Sequence, residues 1–243
     1  GIGKEIVIVD DYSTDGTREW LSETVPGGEI AAAALSLDKA GELKIRKPRK
    51  DQAPAIRLRA LYHDGNKGKG AGLRTGFAAA TGDVIVIQDA DLEYDPEDWA
   101  EMWRLIAIKE VADVVYGSRF YGRPHRALYF HHYMANRIIS FLFNLLYDQT
   151  LTDIEVCYKM MRREVLESLR LTADDFGIEV EMSAEIARAR RWRIYELGIS
   201  YYGRTYAEGK KINWKDGLKA FWYIVKFRFR PRRNRPPTKT EES

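Results

Sequence analysis

Asp89-Ala90-Asp91 follows the apolar run Val84-Ile85-Val86-Ile87 and precedes Leu92-Glu93-Tyr94-Asp95-Pro96. Such a run reads as a buried strand, here carrying carboxylates at its C-terminal end, the edge where open α/β sheets place their ligands. In a locally extended chain, side chains two apart point the same way, so Asp89, Asp91 and Glu93 are expected to converge. Converging carboxylates repel, and a divalent cation relieves that. Hard oxygen donors suit Mg²⁺ or Mn²⁺, which usually bind through one or two carboxylates plus substrate phosphates. The expected metal ligands are therefore Asp89, Asp91 and Glu93. Asp95 has a plainer role: ahead of Pro96, Glu97 and Asp98, it reads as a helix N-cap with Pro at N1.

Other polar groups gather on the same expected edge. Asp10-Asp11 closes the run Glu5-Ile6-Val7-Ile8-Val9. Carboxylates there accept hydrogen bonds from ribose hydroxyls or a base N–H, or else cap the Ser13–Gly16 turn. Gly65 to Gly76 reads GNKGKGAGLRTG. It is neither G-x-G-x-x-G nor a phosphate loop ending in G-K-[ST]. It opens a helix, whose N–H groups favour an anion, although a tight turn explains it equally well. Arg119 follows Gly117-Ser118, and Arg204 precedes Glu208-Gly209-Lys210-Lys211. Such groups in loops above a sheet hold phosphates or are plain surface charges. Arg188-Ala189-Arg190-Arg191-Trp192 imitates a Q-x-x-R-W signature with Arg where Gln belongs, and is read as a decoy. His63, His125, His131 and His132 lack metal-ligand spacing, and serine-hydrolase motifs are absent.

The elements that position these groups alternate. Strands are expected at Glu5–Val9, Ile56–Tyr62, Val84–Gln88 and Asp113–Tyr116, with helices at Thr17–Thr24, from the glycine turn to Gly82, and at Pro96–Val111. Alternation of this kind implies a largely parallel three-layer sheet. Pro26 to Pro54 reads as a surface insertion with a short hairpin near Ala40-Gly41. The second half is less regular. Leu128–Tyr147 is aromatic-rich and interrupted by polar residues. Cys157–Met161 and Arg193–Ile199 read as strands. Arg163–Leu169, Glu179–Arg190 and Trp214–Phe227 read as helices. The tail after Phe229 reads as disordered.

With 243 residues, 45% hydrophobic and 31% charged, the chain supports one large α/β domain or two small ones. A net charge of +3 is too small to argue for nucleic acid. The basic run from Lys226 to Lys239 suits a solvated tail or an anionic membrane surface. One cysteine excludes an intrachain disulfide framework and is compatible with a reducing compartment. No apolar run in these 243 residues is long enough to span a bilayer, and no signal peptide is expected.

Taken together, these residues resemble glycosyltransferase family 2. The resemblance rests on Val9-Asp10-Asp11-Tyr12-Ser13-Thr14-Asp15-Gly16-Thr17, Asn66-Lys67-Gly68-Lys69-Gly70, Gln88-Asp89-Ala90-Asp91 and Gly117-Ser118-Arg119. Thr152-Asp153, Cys157-Tyr158-Lys159, Phe176 to Glu181, and Arg204 with Glu208-Gly209-Lys210-Lys211-Ile212 narrow it to the dolichyl/polyprenyl-phosphate mannose or glucose synthase branch. The order and spacing of the set make it specific. It implies a GT-A fold, with a domain over 1–229 interrupted by the 26–54 insertion and followed by a basic 230–243 tail. It implies a nucleotide-sugar donor of the GDP-mannose or UDP-glucose type, a polyprenyl phosphate acceptor, and Mg²⁺ or Mn²⁺. Asp10, Asp11, Lys69, Asp89, Ala90 and Asp91 would hold the nucleotide sugar. Asp91 and Asp153 would lie at the reacting centre. Arg119, Ser140, Arg204 and Lys210 would face phosphates. Glu93 stands where the mannosyl branch often has Gln, and Asn136 where a basic residue is expected. The family normally opens with a strand ending in a Pro-x-x-Asn-Glu type turn. Starting at Gly1-Ile2-Gly3-Lys4, this sequence is expected either to be truncated or to lack that strand, at a cost to donor affinity. It is also expected to lack the C-terminal transmembrane helices of some relatives. The basic Trp222–Arg235 segment is then expected to rest on the cytoplasmic face of a membrane. The open alternatives are a hydroxyl acceptor, with Asp153 as base, and a non-catalytic membrane-bound relic.

Overall fold

The structure is a computed structural model and describes residues 3–38, 43–49, 55–127, 129–208 and 214–231. Its first half runs β1 (Lys4–Asp10), α1 (Thr17–Thr24), β2 (Glu29–Ala32), β3 (Ala34–Leu37), β4 (Leu43–Arg46), β5 (Ile56–Tyr62), α2 (Lys69–Ala79), β6 (Val84–Val86) and α3 (Trp99–Trp103). Then follow β7 (Val114–Ser118), α4 (Phe130–Tyr147), β8 (Lys159–Arg162), α5 (Arg163–Ser168), α6 (Gly177–Ala189), β9 (Ile194–Gly198) and α7 (Trp214–Arg228). Asp95 caps the turn before α3, its carboxylate accepting from the Glu97 N–H at 3.0 Å, with Pro96 next in line.

The strands form a β1-β5-β2 sheet, a β3-β4 hairpin and a β6-β8-β7-β9 sheet. β1 is parallel to β5, and β7 to β9; β8 runs antiparallel to both β6 and β7. Contacts at both ends align β1 with β6. The Thr81 N–H, just before β6, donates to Glu5 at the start of β1 (2.6 Å). Beyond the far ends, Asp11 accepts from the Gly68 N–H, and the next residue, Lys69, meets Asp89. β1, β5, β6, β7 and β9 therefore run in one sense, with β2 and β8 against them. Among the described residues β1 and β6 are each paired on one edge.

Pro26–Pro54 is more than a surface insertion. Its Glu29–Ala32 stretch pairs antiparallel with β5, a strand too short and mixed to show alternation in sequence. β3 and β4 form the hairpin, while Ala40 and Gly41 lie outside the described residues.

Burial is uneven. All of β7 is buried, as expected for a strand covered on both faces. The main core joins Val114, Val115, Tyr116, Met160 and Met161 to Ile139 and Phe143 of α4, Ile178 and Met182 of α6, and Ile224 and Phe227 of α7. A satellite cluster of Val25, Leu58 and Ala60 holds the β1-β5-β2 sheet. There Ile6 remains 39% exposed.

Candidate functional site

β6 ends at Val86, and the chain then bends through residues 90–93. Asp91 closes this bend by accepting from the Glu93 N–H at 3.2 Å. The two-residue alternation of a strand therefore stops at Asp89. Asp89 turns to Lys69, the first residue of α2 (3.0 Å). Asp91 and Glu93 instead share Arg204, each at 2.9 Å, and Glu93 also accepts from the Arg204 N–H and the Tyr201 hydroxyl. The expected three-carboxylate convergence is not assembled. Among the described residues no three His, Cys, Asp or Glu side chains gather to hold a metal ion. Ala90 lies exposed between the two aspartates.

Burial, with Glu93 and Asp89 nearby, pushes the Asp91 carboxyl up. Burial also opposes ionisation of Glu93, but the bonds from Arg204 hold its carboxyl below the ordinary range. Burial first, and the acidic neighbours after it, disfavour the ionised form of Asp91, and a divalent cation would favour that form. Two carboxylates plus a diphosphate are a usual donor set for Mg²⁺ or Mn²⁺, so Asp89 and Asp91 fit such an ion.

Behind Asp89 runs a buried chain of charges. Lys69 Nζ lies 3.1 Å from Glu179 of α6, and Glu179 pairs in turn with Lys159 of β8. Burial opposes the Lys69 charge, but Glu179 and Asp89 hold its ammonium well above its ordinary value. Glu179 and Lys159 were legible only as members of the family pattern. Their own signal was a charge inside an apolar strand and another at the start of an apolar helix.

Four N–H groups of the glycine loop are taken within the chain. The Lys67 and Gly68 N–H groups donate to Asp11 (2.8 and 2.7 Å), and those of Gly70 and Ala71 to the Asp174 carbonyl. Asp11 is further bonded to His63 Nδ1 at 2.6 Å. Burial works against the Asp11 charge, but these bonds hold its carboxyl low. Asp11 thus anchors the loop. Asp10 is buried and takes the capping role: it accepts from the Ser13 N–H and faces Arg18 at 3.5 Å.

Arg119, just past β7, is clamped by Asp153 through Nε at 2.6 Å and Nη2 at 2.7 Å. The Asp153 side chain is fully buried. Both of its oxygens are taken, so it is not placed to act as a base; it orients Arg119. That guanidinium also lies over the Tyr201 ring, 5.4 Å from its centroid, which links it to Glu93. Ser140 does not face a phosphate. It lies on the inward stripe of α4 with Ile139, Phe143 and Tyr147, and its hydroxyl accepts from the Ile154 N–H. Lys210 lies outside the described residues. Arg188 donates to the Phe227 carbonyl at the end of α7, a structural role. A cavity of about 540 Å³ lined by Arg170, Arg188, Arg191 and Arg230 opens at the far end of α6 and contains none of these site residues.

Residues 47–170 match the family model described as Glycosyl transferase family 2. The Dolichol-phosphate mannosyltransferase of Pyrococcus furiosus is 26% identical over 219 residues, 87% of this chain and 53% of that protein. Glycosyltransferase AglJ of Haloferax volcanii is 28% identical over 199 residues, 82% of this chain and 54% of that protein. The chain spans about half the length of these two relatives. The Undecaprenyl-phosphate mannosyltransferase of Micrococcus luteus is 27% identical over 217 residues, 85% of this chain and 75% of that protein. Among solved structures, glucosyl-3-phosphoglycerate synthase of Mycobacterium tuberculosis in complex with Mn²⁺ and UDP-glucose superposes with a TM-score of 0.60 at 14% identity. The match covers 96% of this chain and 81% of that one. At that identity the likeness is one of fold.

Proposed function

Because the chain belongs to glycosyl transferase family 2 and has the GT-A fold, we propose that it transfers a hexose from a nucleotide-diphosphate sugar to a polyprenyl phosphate, with inversion at the anomeric carbon. The observation that carries this is the pair Asp89 and Asp91 at the end of β6, flanked by the cations Lys69 and Arg204. Support for the acceptor comes from the two relatives named for dolichol phosphate and undecaprenyl phosphate.

Asp89 and Asp91 would hold Mg²⁺ or Mn²⁺, whose charge would offset that developing on the leaving diphosphate. Arg204, half-exposed and shared between two carboxylates, is placed to exchange them for phosphate oxygens. Arg119, fixed by Asp153, presents its remaining N–H edge in one orientation. A phosphate acceptor is already anionic at neutral pH, so the transfer needs no general base, in keeping with an Asp153 whose oxygens are occupied. A hydroxyl acceptor would need one, which weighs against that alternative.

The lipid reading draws on α4 and α7. Phe130, Met134, Ile138, Phe141 and Leu145 recur at helical spacing on α4, all exposed. Leu218, Trp222, Val225 and Phe229 repeat the pattern on and just beyond α7, which packs against α4. Among the described residues no helix is long and apolar enough to cross a membrane. Such stripes suit a membrane surface, the cytoplasmic leaflet in this reading.

The test is transfer by the purified chain with Mg²⁺ or Mn²⁺, with and without a short polyprenyl phosphate. Metal-dependent transfer is expected only when the lipid phosphate is present. Asp91→Ala should lower it by about 10²- to 10³-fold, as loss of an electrostatic stabiliser does. Near-normal turnover in that variant would remove Asp91 from the site.

A further inference from the structure

Three helices end around one cavity of about 280 Å³. α4 supplies Leu146 and Tyr147, α6 and its C-cap supply Ala187, Arg188 and Arg190, and α7 supplies Arg228. Helix C-termini carry partial negative charge, which would repel an anion. Here the arginines cover it: Arg228 Nε donates to the Leu146 carbonyl and Arg188 Nη1 to the Phe227 carbonyl, both at 2.8 Å. Arg228 is thus held by its Nε, and its Nη groups have no partner among the described residues. Arg190 is exposed at the left-handed C-cap of α6 (φ 53°), and its side chain likewise bonds to no described residue. Among the described residues no carboxylate lines this cavity. The larger cavity described above shares Arg188 but is also lined by Glu167 and Glu185, and Glu185 faces Arg188 at 3.6 Å. The smaller cavity is therefore the one whose cations are unbalanced.

Guanidinium Nη groups take phosphate oxygens in pairs. The volume lies at the lower end of small-ligand pockets, about 300–1,000 Å³, and suits a phosphate with a short substituent better than a nucleotide. The flanks are apolar. Leu145, beside Leu146, and Phe229, beside Arg228, are exposed members of the stripes on α4 and α7. The Arg228 guanidinium lies 6.0 Å from the Phe229 ring centroid. The cavity is separate from the carboxylate edge. Glu179, which meets Lys69, is in the first turn of α6, and Arg188 is in its last, about 13.5 Å further along the axis. We propose that this cavity binds a phosphate ester, and that its source is the headgroup of an anionic lipid distinct from the acceptor. Arg188 and Arg190, from the stretch that imitates Q-x-x-R-W, then serve a lipid site at the end of the apolar stripes.

The experiment pairs two measurements on the parent, Arg190→Gln, Arg228→Gln and Arg137→Gln. One is co-sedimentation with phosphatidylcholine vesicles, with and without phosphatidylglycerol. The other is calorimetric titration with inorganic phosphate. Arg137→Gln removes the same charge from α4 outside the cavity. Arg190→Gln breaks no internal bond and should melt with the parent, and thermal melts check Arg228→Gln, which loses the bond to Leu146. Arg190→Gln should lose about tenfold or more of the affinity that phosphatidylglycerol adds, as loss of a charge-assisted hydrogen bond does. Arg137→Gln should lose several-fold less. Inorganic phosphate should bind the parent weakly, and Arg190→Gln more weakly still. Equal losses in Arg190→Gln and Arg137→Gln would make the cavity part of a general basic surface and overturn the site. Loss of inorganic phosphate binding in Arg190→Gln, with vesicle binding unchanged, would overturn the lipid source. A parent that binds both vesicle types equally would overturn it too.

Discussion

Arg119 and Asp153 exchange two parallel charge-assisted bonds inside the protein, and this pair decides what the carboxylate can do. Removing one partner of such a buried pair strands the other charge, at a cost of about 3–5 kcal/mol. Asp153→Ala should therefore lower stability by that order in urea unfolding and lose transfer as well. A variant that kept the parent's stability but lost turnover would return Asp153 to the reacting centre. In the sequence, the family resemblance placed Asp153 at the reacting centre, and a motif match says nothing of what faces the carboxylate. Its partner lies 34 residues away in sequence, just past β7. Asp95 was legible because its partner, the Glu97 N–H, is local.

Among elements, the strands were readable wherever apolar runs were long enough, as in β1, β5 and β7. β2 was missed because its pairing with β5 stems from tertiary contact rather than pattern. The glycine loop was ambiguous for a related reason. A Cβ on Gly70 would lie 2.1 Å from the Ala173 carbonyl oxygen, and one on Gly68 would lie 2.4 Å from that of Asp174. The loop is glycine-rich because the segment before α6 passes directly over it, about 100 residues later in sequence. Its N–H groups close that contact and the one to Asp11, and this seats Lys69 between Asp89 and Glu179. Gly70→Ala should thus cost about 1–3 kcal/mol, as overpacking does, and should weaken donor binding by displacing Lys69. Thermal unfolding of Gly70→Ala beside Gly72→Ala separates the cases, since a Cβ on Gly72 meets nothing within 4 Å. Equal stability of the two variants would mean that the close approach at Gly70 does not constrain the fold.

At the scale of the whole molecule, the proposed function would have the charged edge and the apolar stripes serve two chemically different reactants. Phe141 and Trp222 are 67% and 57% exposed, on adjoining helices, and Arg137, Lys219 and Lys226 are exposed beside them. Large apolar side chains at helical spacing in water, with basic neighbours, match the pattern of a helix lying in a membrane interface. The attraction then has two parts: burial of apolar side chains, and the field of an anionic leaflet acting on the basic residues. The two parts respond to different variables. Binding to vesicles containing anionic lipid should exceed binding to neutral vesicles and should fall as salt rises, because salt screens the second part. Phe141→Ser and Trp222→Ser each remove about 1.5–3 kcal/mol of apolar transfer free energy, so each should weaken vesicle binding roughly tenfold or more at any salt concentration. Both side chains project from the core, so the melting temperature should stay near the parent's. Co-sedimentation of the parent and the double variant with both vesicle types measures this directly. Equal binding of parent and double variant would mean that the stripes do not meet lipid, and would leave the acceptor's chain without a surface on α4 and α7.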